Sequence, residues 1–338
     1  MFFTGEPFFS PFYAMILQTF AEISLFGFFN NLWNSAPPWI RALQWVDLGA
    51  LGVVLVFCIL VLLLRSLFPK VGAIAWVTTK EAIQQPLFLI LTVLGLFALF
   101  IFLFIPYNTL GEDIVMVITQ GLTLIKLMAV FLAIWTASTS IADEIEGKTA
   151  LMILAKPVGR RSFIIGKYLG VMIAVTILFL ILAIFFANTI SYKLVYDARE
   201  SAKEVPNAVE CFRQIVQILP GLVLAYLETM ILAAVAVAIS TRLSLLPNLT
   251  ISFVIYILGH LVPQIVQSSV GQLPMVAFVG ELSCAVLPVL DYFSMETAIA
   301  MKQSLSWWYV FLAGVYAAIY CIVALLASLL LFEERDLA

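Results

Sequence analysis

Charge is what this chain has least of. Asp, Glu, Lys and Arg make up 11% of its 338 residues, less than half the share of a soluble domain, and that scarcity leaves no room for a sizeable water-soluble unit. Any nucleotide chemistry must then come from another chain. Histidine occurs once, at His260, whereas zinc sites are built from clusters of His, Cys, Asp and Glu. The four cysteines, Cys58, Cys211, Cys284 and Cys321, have no paired spacing and read as packing residues rather than redox or metal centres. No GxSxG-type nucleophile setting is present. The first residues lack the basic flank and small-residue cleavage site of a signal peptide, so no processing is expected.

What is there is apolar. Hydrophobic residues make up 64% of the chain, and runs of about twenty recur along its length, which predicts an all-α polytopic membrane protein. A β-barrel would show short alternating strands instead. Spans are expected at 46–64, 87–105, 114–141, 163–190, 216–240, 249–267 and 307–332. Residues 12–29 contain Gln18 and Glu22, and read either as a first span or as a helix lying in the interface. The segment 71–85 (VGAIAWVTTKEAIQQ) is too polar to cross and reads as an amphipathic surface helix leading into 87–105. A polar loop is expected at 191–215. Between 268 and 306 the pattern breaks into short Pro-bounded pieces, a re-entrant or interfacial pair of short helices.

Lys and Arg set the orientation. Arg65, Lys70, Lys80, the bases of 142–167, Arg242 and Arg335 fall on one side, which is therefore assigned to the cytoplasm. The C-terminus lies on that side. With 12–29 as a span there are eight helices and both termini are inside; without it there are seven and the N-terminus is outside.

Two groups of residues carry chemistry. Lys126, Glu228 and His260 are ionisable side chains within apolar spans, where charge is costly and finds partners. Lys126 and Glu228, of opposite sign, are suited to pair across helices, as a gate or substrate contact or as a structural tether. A lone intramembrane His is more often hydrogen-bonded to a neighbour than catalytic. Small residues at Gly166, Gly170 and Ala174, and at Ala233, Ala234, Ala236 and Ala238, mark close helix contacts.

The second group is ADEIEGKTALMILAKPVGRRSFIIGKYLG, residues 142–170. Its EGKT resembles the tail of a phosphate-binding loop. That motif needs a Gly at position 142, which is Ala, after a strand rather than a membrane helix. The bases alone follow the positive-inside rule. The rule does not explain the acids Asp143, Glu144 and Glu146 ahead of a helix-sized apolar run (Ala150, Leu151, Ile153, Leu154), which fit a docking element for a soluble partner.

The run EIEGKTALMILAKPVGRRSFIIGKYLG resembles the cytoplasmic signature of the membrane subunits of type 2 ABC exporters. LLLFEERDL near the C-terminus is similar to the family's usual ending. The 71–85 helix, with Lys80–Glu81 and Gln85–Pro86, resembles its elbow helix, and 274–290 its short helix pair before the last span. The resemblance covers about 70–338, and the first 68 residues have no counterpart in the minimal core. It implies an N-terminal extension of one or two membrane helices (1–68), an elbow helix (69–86) and a six-span permease domain (87–338). That domain would hold a coupling element at 142–167, an exterior loop at 191–215 and a re-entrant segment at 268–306. Asp143, Glu144, Glu146, Lys148, Thr149, Lys156, Pro157, Arg160 and Arg161 would be the coupling surface for the ATPase. Two copies of a separate ABC ATPase and a second permease subunit, identical or paralogous, are the implied partners in a plasma (inner) membrane. ATP and magnesium would bind in the ATPase, with no cofactor on this chain, no catalytic residue and no nucleic-acid partner. The alternatives are an ion-coupled secondary transporter, whose expected inverted repeat is not seen, and an intramembrane enzyme.

Overall fold

The computed structural model describes residues 38–105, 113–146, 159–200, 204–268, 273–295 and 305–333. The 12–29 segment, Lys148, Thr149, Lys156 and Pro157 of the expected coupling surface, and the residues after Glu333 lie outside the described residues. The helices are α1 (Pro38–Leu67), α2 (Pro69–Gln84), α3 (Pro86–Phe102), α4 (Asp113–Glu146), α5 (Arg160–Glu200), α6 (Ala208–Ser240), α7 (Leu245–Gln267), α8 (Pro274–Val286) and α9 (Trp307–Glu333). A 3-10 turn, Leu290–Phe293, follows α8. No strand occurs among the described residues. Six helices (α1, α4, α5, α6, α7 and α9) are long and apolar enough to cross a bilayer, and α2 with α3 makes a seventh crossing if that bent pair counts as one span. The protein is an all-helical, multi-pass membrane protein.

Local chemistry sets the helix ends. Proline at the first position of α2, α3 and α8 supplies a preset φ where no intrahelical N–H bond is lost. Pro86 also forces its predecessor out of the helical region: Gln85 takes ψ 137°, and the chain turns by 63° between α2 and α3. At the start of α6, Asn207 and Glu210 form a reciprocal capping box, with the Asn207 backbone N–H donating to Glu210 Oε2 at 3.1 Å.

The bundle is centred on α5 and α6. Two thirds of the apolar window of α6 is buried (67%), against 17% for α7 and 0% for α1, so these two are the lightly held spans. α4 packs on both central helices, α9 chiefly on α6, and α7 on α4 and α6. α1 is peripheral. Leu43 is buried, and from Val46 on the half-buried residues of the helix, Val46, Ala50, Val54, Phe57, Val61 and Leu64, form one narrow stripe with the residues between them exposed.

Cross-helix contacts fix which ends lie together. Phe163, near the start of α5, stacks on Phe332 at the end of α9. The Asn248 amide at the start of α7 donates to Ser138 Oγ on α4 (2.8 Å) and to the Ala236 carbonyl on α6 (3.1 Å). Gln85, at the α2–α3 bend, donates to Thr139 Oγ1 and accepts from Trp135 Nε1, both near the far end of α4. This end of the bundle carries Arg160, Arg161 and Arg242. Arg65 and Lys70 flank the α1–α2 junction on the same side.

One expectation is revised. The polar stretch 191–215 is not a loop: α5 continues to Glu200 and α6 begins at Ala208. The sequence SYKLVYDARE is helix-compatible, Lys193 and Asp197 pair across one turn at 3.0 Å, and Val195 packs with Cys211 where the two helices meet. Between 273 and 295 the described residues form one helix, α8, and one 3-10 turn. α8 doubles back along α7, with Gly280 against Val266 and Leu290 against Gly259. The Tyr320 hydroxyl donates to the Val286 carbonyl, midway along α9. The expected helix before 87–105 is present as α2, which buries its small residues Gly72, Ala75, Thr78, Thr79 and Ala82, while Trp76 and Val77 are exposed.

That small face explains the contact of α2 with α5. A Cβ on Gly170 would lie 2.6 Å from Thr78 Cβ and 2.7 Å from the Ala75 carbonyl oxygen, so only glycine fits there. The closeness lets Thr79 Oγ1 donate to the Gly170 carbonyl at 3.0 Å. Gly166 meets Ile74 in the same way one turn earlier.

Candidate functional site

The three ionisable residues of the apolar spans come together. Glu228 on α6 is fully buried, and its two carboxylate oxygens face different helices. Oε2 lies 3.4 Å from Lys126 Nζ on α4, and Oε1 lies 2.8 Å from His260 Nε2 on α7. The Lys126–Glu228 pairing follows from their opposite signs. That His260 joins them on the other oxygen was not legible, because it depends on how α7 crosses α6.

The depths agree. Lys126 lies about 15 residues from Ile141, Glu228 about 12 from Ser240 and His260 about 15 from Leu245, so at 1.5 Å per residue all three sit roughly 18–22 Å from the basic end. In a bilayer about 40–45 Å thick with its headgroups, that is the middle. An isolated charge there is costly, and the arrangement keeps the carboxylate matched to at least one cation. The cluster is graded in exposure. Side-chain exposure is 0% for Glu228, 9% for Lys126 and 22% for His260, so the imidazole is the member most open to its surroundings. The Tyr256 ring, one helical turn before His260, stands edge-on to it at 5.1 Å.

A pocket adjoins the cluster on the side away from the basic end. It is lined by Thr119, Thr123 and Lys126 of α4, Gly221 and Ala225 of α6, and the segment Phe293–Met295. Gly221 permits this closure, since a Cβ there would fall 2.5 Å from Met295 Sδ. The free volume of about 20 Å³ is room for about one water. The hydroxyl protons of Thr119, Thr123 and Ser294 go to backbone carbonyls at Val115, Thr119 and Asp291, so these oxygens turn acceptor lone pairs to the pocket. Such a lining suits a water or another hydrogen-bond donor. Thr119, Thr123 and Lys126 share one helical face at steps of four and three, a signal present in the sequence. Ser294 and Met295 are brought in by the turn after α8 and leave no such signal.

The expected docking residues fall at the other end. Asp143, Glu144 and Glu146 lie on the last turns of α4. Arg160 and Arg161 open α5 and are exposed. α4 and α5 pack against each other, so the two flanks of the charged stretch are held side by side and residues 147–159 join them. A comparison with protein-family models and with curated proteins finds no match.

Proposed function

We propose that the chain is the membrane-spanning subunit of an ATP-driven exporter of the type 2 ABC class, working with a separately encoded ATPase. The observation that carries this reading is the form of the charged stretch. α4 runs past its apolar window, which ends at Ile141, and carries three acids to Glu146, and α5 restarts beside it at Arg160. Residues 147–159, which hold the apolar run and Lys148, Thr149, Lys156 and Pro157, thus span two packed membrane helices at their basic end. A segment anchored on both sides would transmit a push from a cytosolic partner directly into α5 and into α4, the helix that carries Lys126. A block of acids followed by a block of bases supplies the electrostatic matching that docking needs. The α2–α3 bend at Gln85–Pro86 and the return of α8 along α7 fit the same class.

A second reading, an ion-coupled carrier, draws support from one observation, the Lys126–Glu228–His260 cluster beside a pocket. Purification of the full chain from its native membranes in mild detergent separates the two. On the first reading an ATPase subunit co-purifies in equal amount, and the complex hydrolyses ATP faster when its cargo is added. A chain that isolates without an ATPase and moves cargo in vesicles on an ion gradient alone would overturn it.

A further inference from the structure

We propose that Glu228 and His260 form a proton-binding site in the interior of the membrane domain, with Lys126 as its fixed counter-charge. The inference is independent of the ATPase partnership, and its test needs no partner chain.

The geometry divides one carboxylate between two cations-to-be. With Lys126 charged, Glu228 ionised and His260 neutral, the cluster sums to zero, the cheapest state at that depth. An ionised carboxylate only accepts, so the 2.8 Å contact requires the hydrogen on His260 Nε2 and leaves the lone pair on Nδ1. Glu228 Oε2 faces Lys126 at 3.4 Å without a geometrically formed hydrogen bond, so the ammonium balances the charge without saturating the carboxylate. A second positive group can therefore share it.

Proton binding is then a single balanced step. A hydronium ion gives its proton to Nδ1: one N–H bond forms, one O–H bond of the hydronium breaks, and water leaves. The resulting imidazolium keeps its Nε2–H on Glu228 Oε1. Among the described residues, Glu228 alone lies within ion-pair distance of the ring. The other titratable groups on elements packed against α7 are engaged elsewhere or exposed. Tyr226 on α6 is hydrogen-bonded to Thr176 on α5, Asp291 on the turn faces Gln264, Tyr292 stands edge-on to Tyr316, and Glu281 and Cys284 on α8 lie outside the core. Tyr256, on α7 itself, offers its ring edge-on. Glu228 is thus the group that lets an imidazolium exist here.

The consequence falls on α7. That helix is lightly buried and is tied at its basic end by the Asn248 amide. A proton on His260 turns its mid-span hydrogen bond to α6 into an ion pair and so favours the docked position of α7.

The chain has one histidine, so histidine-selective isotope labelling reports this site alone. The full chain carrying 15N-His and 13C-Glu is placed in lipid bilayers and followed by solid-state NMR from alkaline to acid pH. The expected spectrum shows a neutral ring protonated at Nε2 that becomes doubly protonated on acidification. A contact between Nε2 and a glutamate carboxyl carbon persists in both forms, and the cationic form is lost in Glu228→Gln. A wild-type ring that stays neutral throughout the range in which the protein keeps its fold overturns the proposal. So does a ring that becomes cationic with no carboxyl carbon in contact, a result that needs no variant to fold.

Discussion

Glu228 is the residue on which the membrane interior turns, because it is a fully buried carboxylate held between an ammonium and an imidazole from two other helices. Removing one partner of a buried ion pair leaves the other charged and unmatched, at a cost of about 3–5 kcal/mol. Glu228→Ala is expected to lower the unfolding midpoint in detergent accordingly. Because a well-packed apolar pair can replace a buried ion pair, Lys126→Met combined with Glu228→Leu should recover at least about half of that loss. Losses that simply add would mean the two side chains do not interact. At this scale the sequence was informative about which residues matter. A charge inside an apolar run stands out, and the opposite signs of Lys126 and Glu228 suggested that they pair. What it could not supply was the azimuth of α7, so His260 read as a solitary histidine. The hydroxyls of Thr119 and Thr123 passed as ordinary helix residues because their role depends on a turn nearly 170 residues away.

Among the elements, α2 and α5 show how small residues position a membrane helix. With Gly170 beneath Ala75 and Thr78, the two backbones approach closely enough for Thr79 to bond a carbonyl of the neighbouring helix. Gly170→Ala pushes a methyl against a backbone oxygen and is expected to cost about 1–3 kcal/mol as overpacking. Gly52→Ala in α1 is the control: a Cβ there meets nothing within 4 Å. In a helix that change is neutral or favourable, by up to about 1 kcal/mol. Paired unfolding measurements on the two variants check the contrast, and equal effects would remove close packing as the reason for the glycine. The spacing of Gly166 and Gly170 announced a contact, but not its partner. The polar stretch 191–215 misled in the opposite direction. Hydropathy marks where a chain leaves the membrane, whereas α5 persists because Lys193–Asp197 pairing and packing of Val195 on Cys211 hold the helix together beyond the apolar run.

Over the whole molecule, a buried core of α4, α5 and α6 joins a basic end to a charged cluster at mid-depth, with α1 attached by a single stripe and α7 loosely held. The all-helical, multi-pass character was legible because it depends on composition along the chain. Which helices are central was not, because that depends on three-dimensional neighbours. In the proposed exporter, force enters where α4 ends and α5 begins, and the cluster lies about 20 Å further along the same helix. The most direct test is ATP hydrolysis and cargo movement by the complex purified from native membranes, compared between wild type and Glu144→Lys combined with Glu146→Lys. The predicted result is a variant that folds and inserts normally and whose transport falls at least about tenfold, the equivalent of about 1.4 kcal/mol of coupling, while ATP is still hydrolysed or the ATPase is released. A charge-reversed protein that holds its ATPase and transports at the wild-type rate would contradict the account.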